Sequence, residues 1–207
     1  MYIQELLVVA SIHLLALMSP GPDLIMVLRN TLMYSRKTGI WSALGLACGI
    51  VVHVTYCLFG IAVIISKSII IFSIIKYAGS AYLIYIGIQT LRSRPKESDV
   101  QKIKEVEEDL FWLKAIRLGF LTNVANPKAT LFFLAFFTQI ISPETPLYIQ
   151  AGYGAMMVVM TFLWFSFVTF ALSIPIIKKR FDAMRVWVNY TFGVLLVGIG
   201  IKVALSD

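Results

Sequence analysis

The sequence predicts an all-α integral membrane protein with six transmembrane helices, arranged as two inverted three-helix repeats. Three observations carry that reading. Of the 207 residues, 59% are hydrophobic and only 14% charged, with a mean hydropathy of +0.84, whereas a soluble domain is roughly one quarter charged. Apolar runs recur near 3–32, 39–66, 69–91, 112–142, 146–176 and 184–205, each long enough for the ~20 residues that cross a bilayer. The first and fourth runs are over-long, and each is interrupted by a proline-containing motif. The boundaries are a first repeat at 1–93, a cytoplasmic linker at 94–111 and a second repeat at 112–207, together one membrane domain.

The first span carries Glu5 near its start, then His13, then Ser19-Pro20-Gly21-Pro22-Asp23. Pro20 and Pro22 have no backbone N–H, so an unbroken helix would strand the carbonyls of Ala16 and Met18. In hydrocarbon such a break survives only where protein buries it or a polar cavity lies against it. Asp23 sharpens the point, because a carboxylate at membrane depth costs about 2.5–3.5 kcal/mol on insertion scales and marks a functional site by default. Met1 to Glu5 holds no Lys or Arg, so the first span is expected to stay in the protein rather than be cleaved as a signal. His13 reads as a polar packing residue.

The second span begins beyond Gly39 and Trp41, an interfacial anchor. Its Gly45-Leu46-Ala47-Cys48-Gly49 puts small residues four apart, a spacing that lets helix backbones approach closely. His53 lies near its middle, suited to bonding across helices or to relaying protons. Cys48 and Cys57 share this span, too far apart on a rigid helix to be bridged, and read as small buried hydrophobes. The third span follows Ser66-Lys67-Ser68 and holds Tyr77, Gly79, Tyr82, Tyr85 and Gly87. After the mixed-charge linker, the fourth span runs through Asn126-Pro127-Lys128 into Leu131-Phe132-Phe133-Leu134-Ala135-Phe136-Phe137. Pro175 ends or kinks the fifth span, and the sixth starts near Trp187.

The formal net charge of +7 points to a membrane surface and not to nucleic acid, because of where the charges fall. Arg29, Arg36 and Lys37 follow the first span, seven Lys and Arg between Arg92 and Arg117 surround the third connection, and Lys178, Lys179, Arg180 and Arg185 mark the fifth. The other side has only Lys67, Lys76 and Lys202. By the positive-inside rule the odd connections are cytoplasmic and both termini extracytoplasmic, with anionic lipid headgroups as partners of the basic face. Assembly into a homo-oligomer is compatible with this layout.

The halves resemble one another. Tyr77 to Ser93 aligns without gaps on Tyr190 to Ser206, matching Leu83 with Leu196 and Ile86-Gly87-Ile88 with Ile199-Gly200-Ile201, while Pro22 corresponds to Pro127. An odd number of spans per half inserts the second half upside down, the layout of many secondary transporters. A half-helix restarting at each break presents unpaired N–H groups and a partial positive charge. Ser19 or Gly21 can cap the helix that Pro22 opens, and Asn126 the one that Pro127 opens. Two such starts form a cradle for a carboxylate, and the freed carbonyls of Ala16, Met18 and Asn123 suit an ammonium. Asp23 and Lys128 occupy equivalent positions, so either they pair or a substrate carboxylate alternates with Asp23 as partner of Lys128.

At these residues the chain resembles the LysE/RhtB group of bacterial amino-acid exporters. Ser-Pro-Gly-Pro-Asp in the first span and Asn-Pro-Lys-Ala-Thr-Leu-Phe-Phe-Leu-Ala-Phe-Phe in the fourth carry the likeness, which covers essentially the whole chain. The resemblance implies export, across a bacterial plasma (inner) membrane, of amino acids or close derivatives of homoserine, threonine, leucine or lysine type, driven by the proton gradient. The expected substrate-binding residues are Ser19, Gly21, Pro22, Asp23, Asn126, Pro127 and Lys128, with Asp23 and His53 for proton coupling. No cofactor, metal or enzymatic role is expected: there is no thiol pair, no haem-attachment motif and no Ser-His-Asp spacing. The alternative is a divalent metal-ion exporter of the same superfamily, which the Lys beside Asp23 disfavours.

Overall fold

A computed structural model of the protein describes residues 2–19, 21–67, 69–92, 109–142 and 144–171, with 190–191, 193–194, 196–198, 200–201 and 204–205. The described elements are helices: α1 (Tyr2–Met18), α2 (Pro22–Met33), α3 (Arg36–Lys67), α4 (Ile69–Arg92), α5 (Trp112–Val124), α6 (Pro127–Gln139) and α7 (Leu147–Ala171). Helical residues follow between 190 and 204. Most of the linker 94–111, Pro175, Lys178 to Arg185 and the start of the expected sixth span lie outside the described residues.

Helix ends fall where the chain chemistry puts them. Helix α1 closes on an Ser19 N–H to Leu15 carbonyl bond of 3.1 Å, and α2 opens at Pro22 behind an extended Gly21. The two axes meet at 57°. Helices α5 and α6 are separated only by Ala125 and Asn126. By length and composition, Arg36–Gly60 of α3 and Leu147–Ala171 of α7 can each cross a membrane, and α1 with α2 adds a third crossing if the bent pair is one span.

Helix α3 is the central element, packed along α5 and α7 and also touching α2 and α6. It comes close to α5, and small residues make that possible. A Cβ on Gly45 would run into the Ile116 carbonyl, and one on Gly119 into the Ser42 carbonyl. A Cβ on Gly49 would meet Asn123 Oδ1 at 2.5 Å. At the rim, Glu5 of α1 fastens the α6–α7 turn: its carboxylate accepts from the Ser142 N–H at 2.8 Å, Thr145 Oγ1 at 3.0 Å and the Tyr153 hydroxyl at 3.0 Å. Of the two cysteines, both free, Cys57 is buried as expected, but Cys48 is exposed, on the outer side of α3.

The core falls into two apolar clusters. One gathers Val9, Ile12, Ile50, Val54 and the α6 phenylalanines. The other gathers Leu17, Leu24, Val27, Leu46, Phe165 and Val168. Members of both clusters line the cavity that Ser19, Gly21, Asn126 and Lys128 also line.

A cavity between two broken helices

The breaks face one another across a cavity of about 60 Å³. Ser19, Gly21, Asp23, Asn126 and Lys128, five of the seven residues expected to bind substrate, line it together. The remaining two, Pro22 and Pro127, are the first residues of α2 and α6 and set where those helices begin.

The charged groups are held by partners from the opposite side of the cavity. Asn126 caps α6, its Oδ1 accepting from the Lys128 backbone N–H at 3.0 Å. That leaves its amide Nδ2 to donate to Asp23 Oδ1 at 3.1 Å, while Asn123 Nδ2 donates to Asp23 Oδ2 at 2.8 Å. The α2 carboxylate is thus gripped by two amides of the opposite break. In return Lys128 sends its Nζ back to Ser19 Oγ, at 2.8 Å. The two breaks are therefore cross-linked in both directions by side chains. Ser19 is not the cap of α2; that position is Gly21, without a side-chain bond, and the serine hydroxyl serves the ammonium instead.

Gly21 is extended, at φ −177°, a conformation open to any residue, so its role is spatial. A Cβ there would sit 3.5 Å from Lys128 Nζ, an ordinary contact. Anything longer would enter the path of the lysine.

His53 is buried and tied into this constellation from behind. Its Nε2 lies 3.1 Å from the Asn123 carbonyl and its Nδ1 2.8 Å from the Tyr56 hydroxyl, which is also 3.2 Å from the Thr130 carbonyl. A carbonyl only accepts, so Nε2 carries a proton. In the neutral ring Nδ1 must then accept from Tyr56; in the imidazolium it donates, and the Tyr56 proton turns to Thr130. The Asn123 carbonyl, which the sequence offered to an ammonium, is therefore filled, by His53 Nε2 and by the Asn126 N–H at 3.0 Å.

Sequence reasoning missed three residues. Asn123 stands one turn before the cap, and an Asn-x-x-Asn-Pro pattern inside an apolar run was its available signal. Tyr56 follows His53 by three positions, on the same face of α3. His13, read as packing, does bond to α7 but also lines the cavity.

The model of the LysE type translocator matches residues 14–207. The chain belongs to this family. This chain is 32% identical over 200 residues to a threonine efflux protein of Escherichia coli K12, covering 97% of each chain. It is 31% identical over 198 residues to a threonine efflux protein of Salmonella typhi, covering 96% of each. An uncharacterized membrane protein of Bacillus subtilis is 32% identical over 194 residues, with 90% of this chain and 92% of the other covered. No solved structure matches the chain significantly. It is a transmembrane protein of an amino-acid efflux family.

Proposed function

We propose that this protein exports a small amino acid from the cytoplasm by proton antiport, binding it in the cavity between the two breaks. The observation that carries the reading is the cross-linked quartet of Ser19, Asp23, Asn126 and Lys128, opposite charges presented on facing half-helices around one cavity. A zwitterion complements it: its carboxylate takes Lys128 and the start of α6, its ammonium takes Asp23. At about 60 Å³ the cavity is well above the roughly 10–15 Å³ that suffices to hold one water-sized group. The threonine efflux relatives support an amino-acid substrate.

Six spans in two inverted repeats are part of this proposal, supported by a reciprocal contact. A Cβ on Gly87 would meet Val197 at 2.6 Å and the Gly193 carbonyl at 2.8 Å; one on Gly200 would meet Ile84 at 2.6 Å and the Ser80 carbonyl at 2.8 Å. Under the alignment of Tyr77 on Tyr190 these are the same contact with the halves exchanged. Coupling follows from competition: when Asp23 takes a proton it releases the ammonium, and the His53–Tyr56 pair offers a second proton site one residue away through Asn123. Both termini are extracytoplasmic in this scheme, in a bacterial inner membrane. For the metal-exporter alternative, no group of three His, Cys, Asp or Glu side chains placed to hold an ion is found among the described residues.

Purified protein in sealed vesicles, loaded with a panel of labelled amino acids and divalent metals, tests the proposal when a pH gradient is imposed. Uphill release of an amino acid is expected. Release of metal ions alone, or amino-acid flux indifferent to the pH gradient, overturns it.

A further inference from the structure

The two amides that hold Asp23 are not equivalent. Asn126 Nδ2 donates to Asp23 Oδ1 at 3.1 Å while its own Oδ1 accepts from the Lys128 backbone N–H at 3.0 Å. The helix cap therefore fixes which end of that amide faces the carboxylate. Asn123 Nδ2 donates to Asp23 Oδ2 at 2.8 Å, but its Oδ1 is buried without a hydrogen bond among the described residues. That oxygen stands over Gly49 of α3, where a Cβ would come within 2.5 Å of it. The nearby imidazole of His53 bonds the Asn123 backbone carbonyl instead, at 3.1 Å. No hydrogen bond ties down the far end of the Asn123 amide. Protonation of Asp23 reverses what its oxygens need: the carboxylate only accepts, whereas the neutral acid carries an O–H that must donate. Asn126 has no acceptor to give, its oxygen being spent on the cap. Turning the Asn123 amide half a turn about its last side-chain bond exchanges Oδ1 for Nδ2 in nearly the same envelope, with Gly49 leaving room. The contact at 2.8 Å then runs from the acid O–H to an amide oxygen.

We infer that Asn123 is a positioning residue for proton coupling: its amide turns over when Asp23 takes a proton, donating to the carboxylate and accepting from the acid. Asp23 is thereby kept at the same place beside the cavity in both states. This rests on the reading of Asp23 as the proton carrier given above. The charged and titratable groups around Asp23 are Lys128 of α6 and His53 of α3, while His13 of α1 lines the same cavity. Lys128 only donates and is bonded to Ser19 Oγ, and both His53 nitrogens are engaged, by the Asn123 carbonyl and the Tyr56 hydroxyl. A buried donor is seldom left unfilled, and an acid O–H facing the Asn123 N–H in its present orientation would be one. The amide alone among the two that grip Asp23 is free to correct this.

The test is infrared difference spectroscopy on the full-length protein in lipid vesicles, titrated with acid and carrying asparagine isotopically labelled at the side-chain carbonyl. The Asp23 signal is the carboxylic-acid carbonyl band that Asp23→Asn lacks, so titration of the histidines does not enter it. As that band grows in wild type, a labelled amide carbonyl is expected to move to lower frequency, the mark of a newly accepted hydrogen bond. The movement should be absent in Asp23→Asn. Because Asn126 keeps its cap throughout, Asn123→Leu should abolish the amide shift. It should also move the acid band to higher frequency, since the acid O–H has lost its acceptor. A residue that merely packs there would lower stability when replaced and leave both bands where they are. An Asp23 acid band with no amide shift in wild type overturns the inference, and that arm needs no variant to fold. So does an amide shift that survives in Asn123→Leu. Absence of any Asp23 acid band across the titration removes Asp23 as proton carrier and this inference with it, whereas an acid band without the amide shift removes this inference alone.

Discussion

Asp23 is held by two amide donors, and that arrangement decides what its neutral isostere does. Both Asn123 and Asn126 present N–H groups to it. Asp23→Asn supplies one acceptor oxygen instead of two, so one of those amides must turn over or lose its partner, the latter a cost of about 1–3 kcal/mol for a buried donor. The variant should fold, with reduced thermal stability, and fail to pump an amino acid uphill when a pH gradient is imposed, while slow downhill leakage persists. Flux in sealed vesicles with monodispersity as control is the measurement; undiminished uphill flux would place the coupling proton elsewhere, with His53 next in line. Lys128 gives a second expectation. Lys128→Ala should weaken substrate binding more than Lys128→Arg, because the charge is needed beside the start of α6. Binding of a decarboxylated analogue as tight as that of the amino acid itself would show that no carboxylate is read there. At this scale the sequence was legible wherever a backbone rule applied. Proline and the residues flanking it located Ser19, Gly21, Asp23, Asn126 and Lys128. Asn123 and Tyr56 act through side-chain bonds between helices, and no local pattern encodes which helix will stand opposite.

The elements carry the same division. Helices α3 and α4, and α7 as far as the described residues go, match the expected runs 39–66, 69–91 and 146–176, and of these Arg36–Gly60 and Leu147–Ala171 are long and apolar enough to cross a membrane. The breaks were legible too, since Pro22 and Pro127 suit a first helical position, and the Asn126 cap contributes about 1 kcal/mol to the start it makes. The 57° bend between α1 and α2 was not, because it depends on what α2 packs against. A graded prediction belongs here. Gly21→Ala should retain transport, since its Cβ would make only ordinary contact with Lys128. Gly21→Leu should abolish it with insertion intact, because the added branches would displace the lysine from Ser19. Efflux assays on membranes with matched expression would distinguish the two, and normal export by Gly21→Leu would take the break out of the transport path.

For the whole molecule, the arrangement of charge and the relation between halves make separate claims. With the odd connections cytoplasmic, a single cysteine placed at Glu97 should be labelled by a membrane-impermeant reagent only after cells are opened; labelling in intact cells would reverse the topology. The inverted repeat is tested by the glycine contacts. Gly87 and Gly200 meet nearly identical surroundings, side chain at 2.6 Å and carbonyl at 2.8 Å in each case. Carbonyls belong to helix backbone and cannot rotate away, so a Cβ at either position must push α4 and the C-terminal helical residues apart. Overpacking of this kind costs about 1–3 kcal/mol. If the halves are related by a pseudo-two-fold axis, Gly87→Ala and Gly200→Ala should lower the melting temperature in detergent by similar amounts. The double variant should lose less than the sum, since one displacement relieves both clashes. Gly198→Ala, with open space around its Cβ, is the control and should leave melting unchanged. Unequal losses at Gly87 and Gly200, or strict additivity in the double variant, would mean that the two contacts are independent and that the likeness of the halves does not extend to their packing.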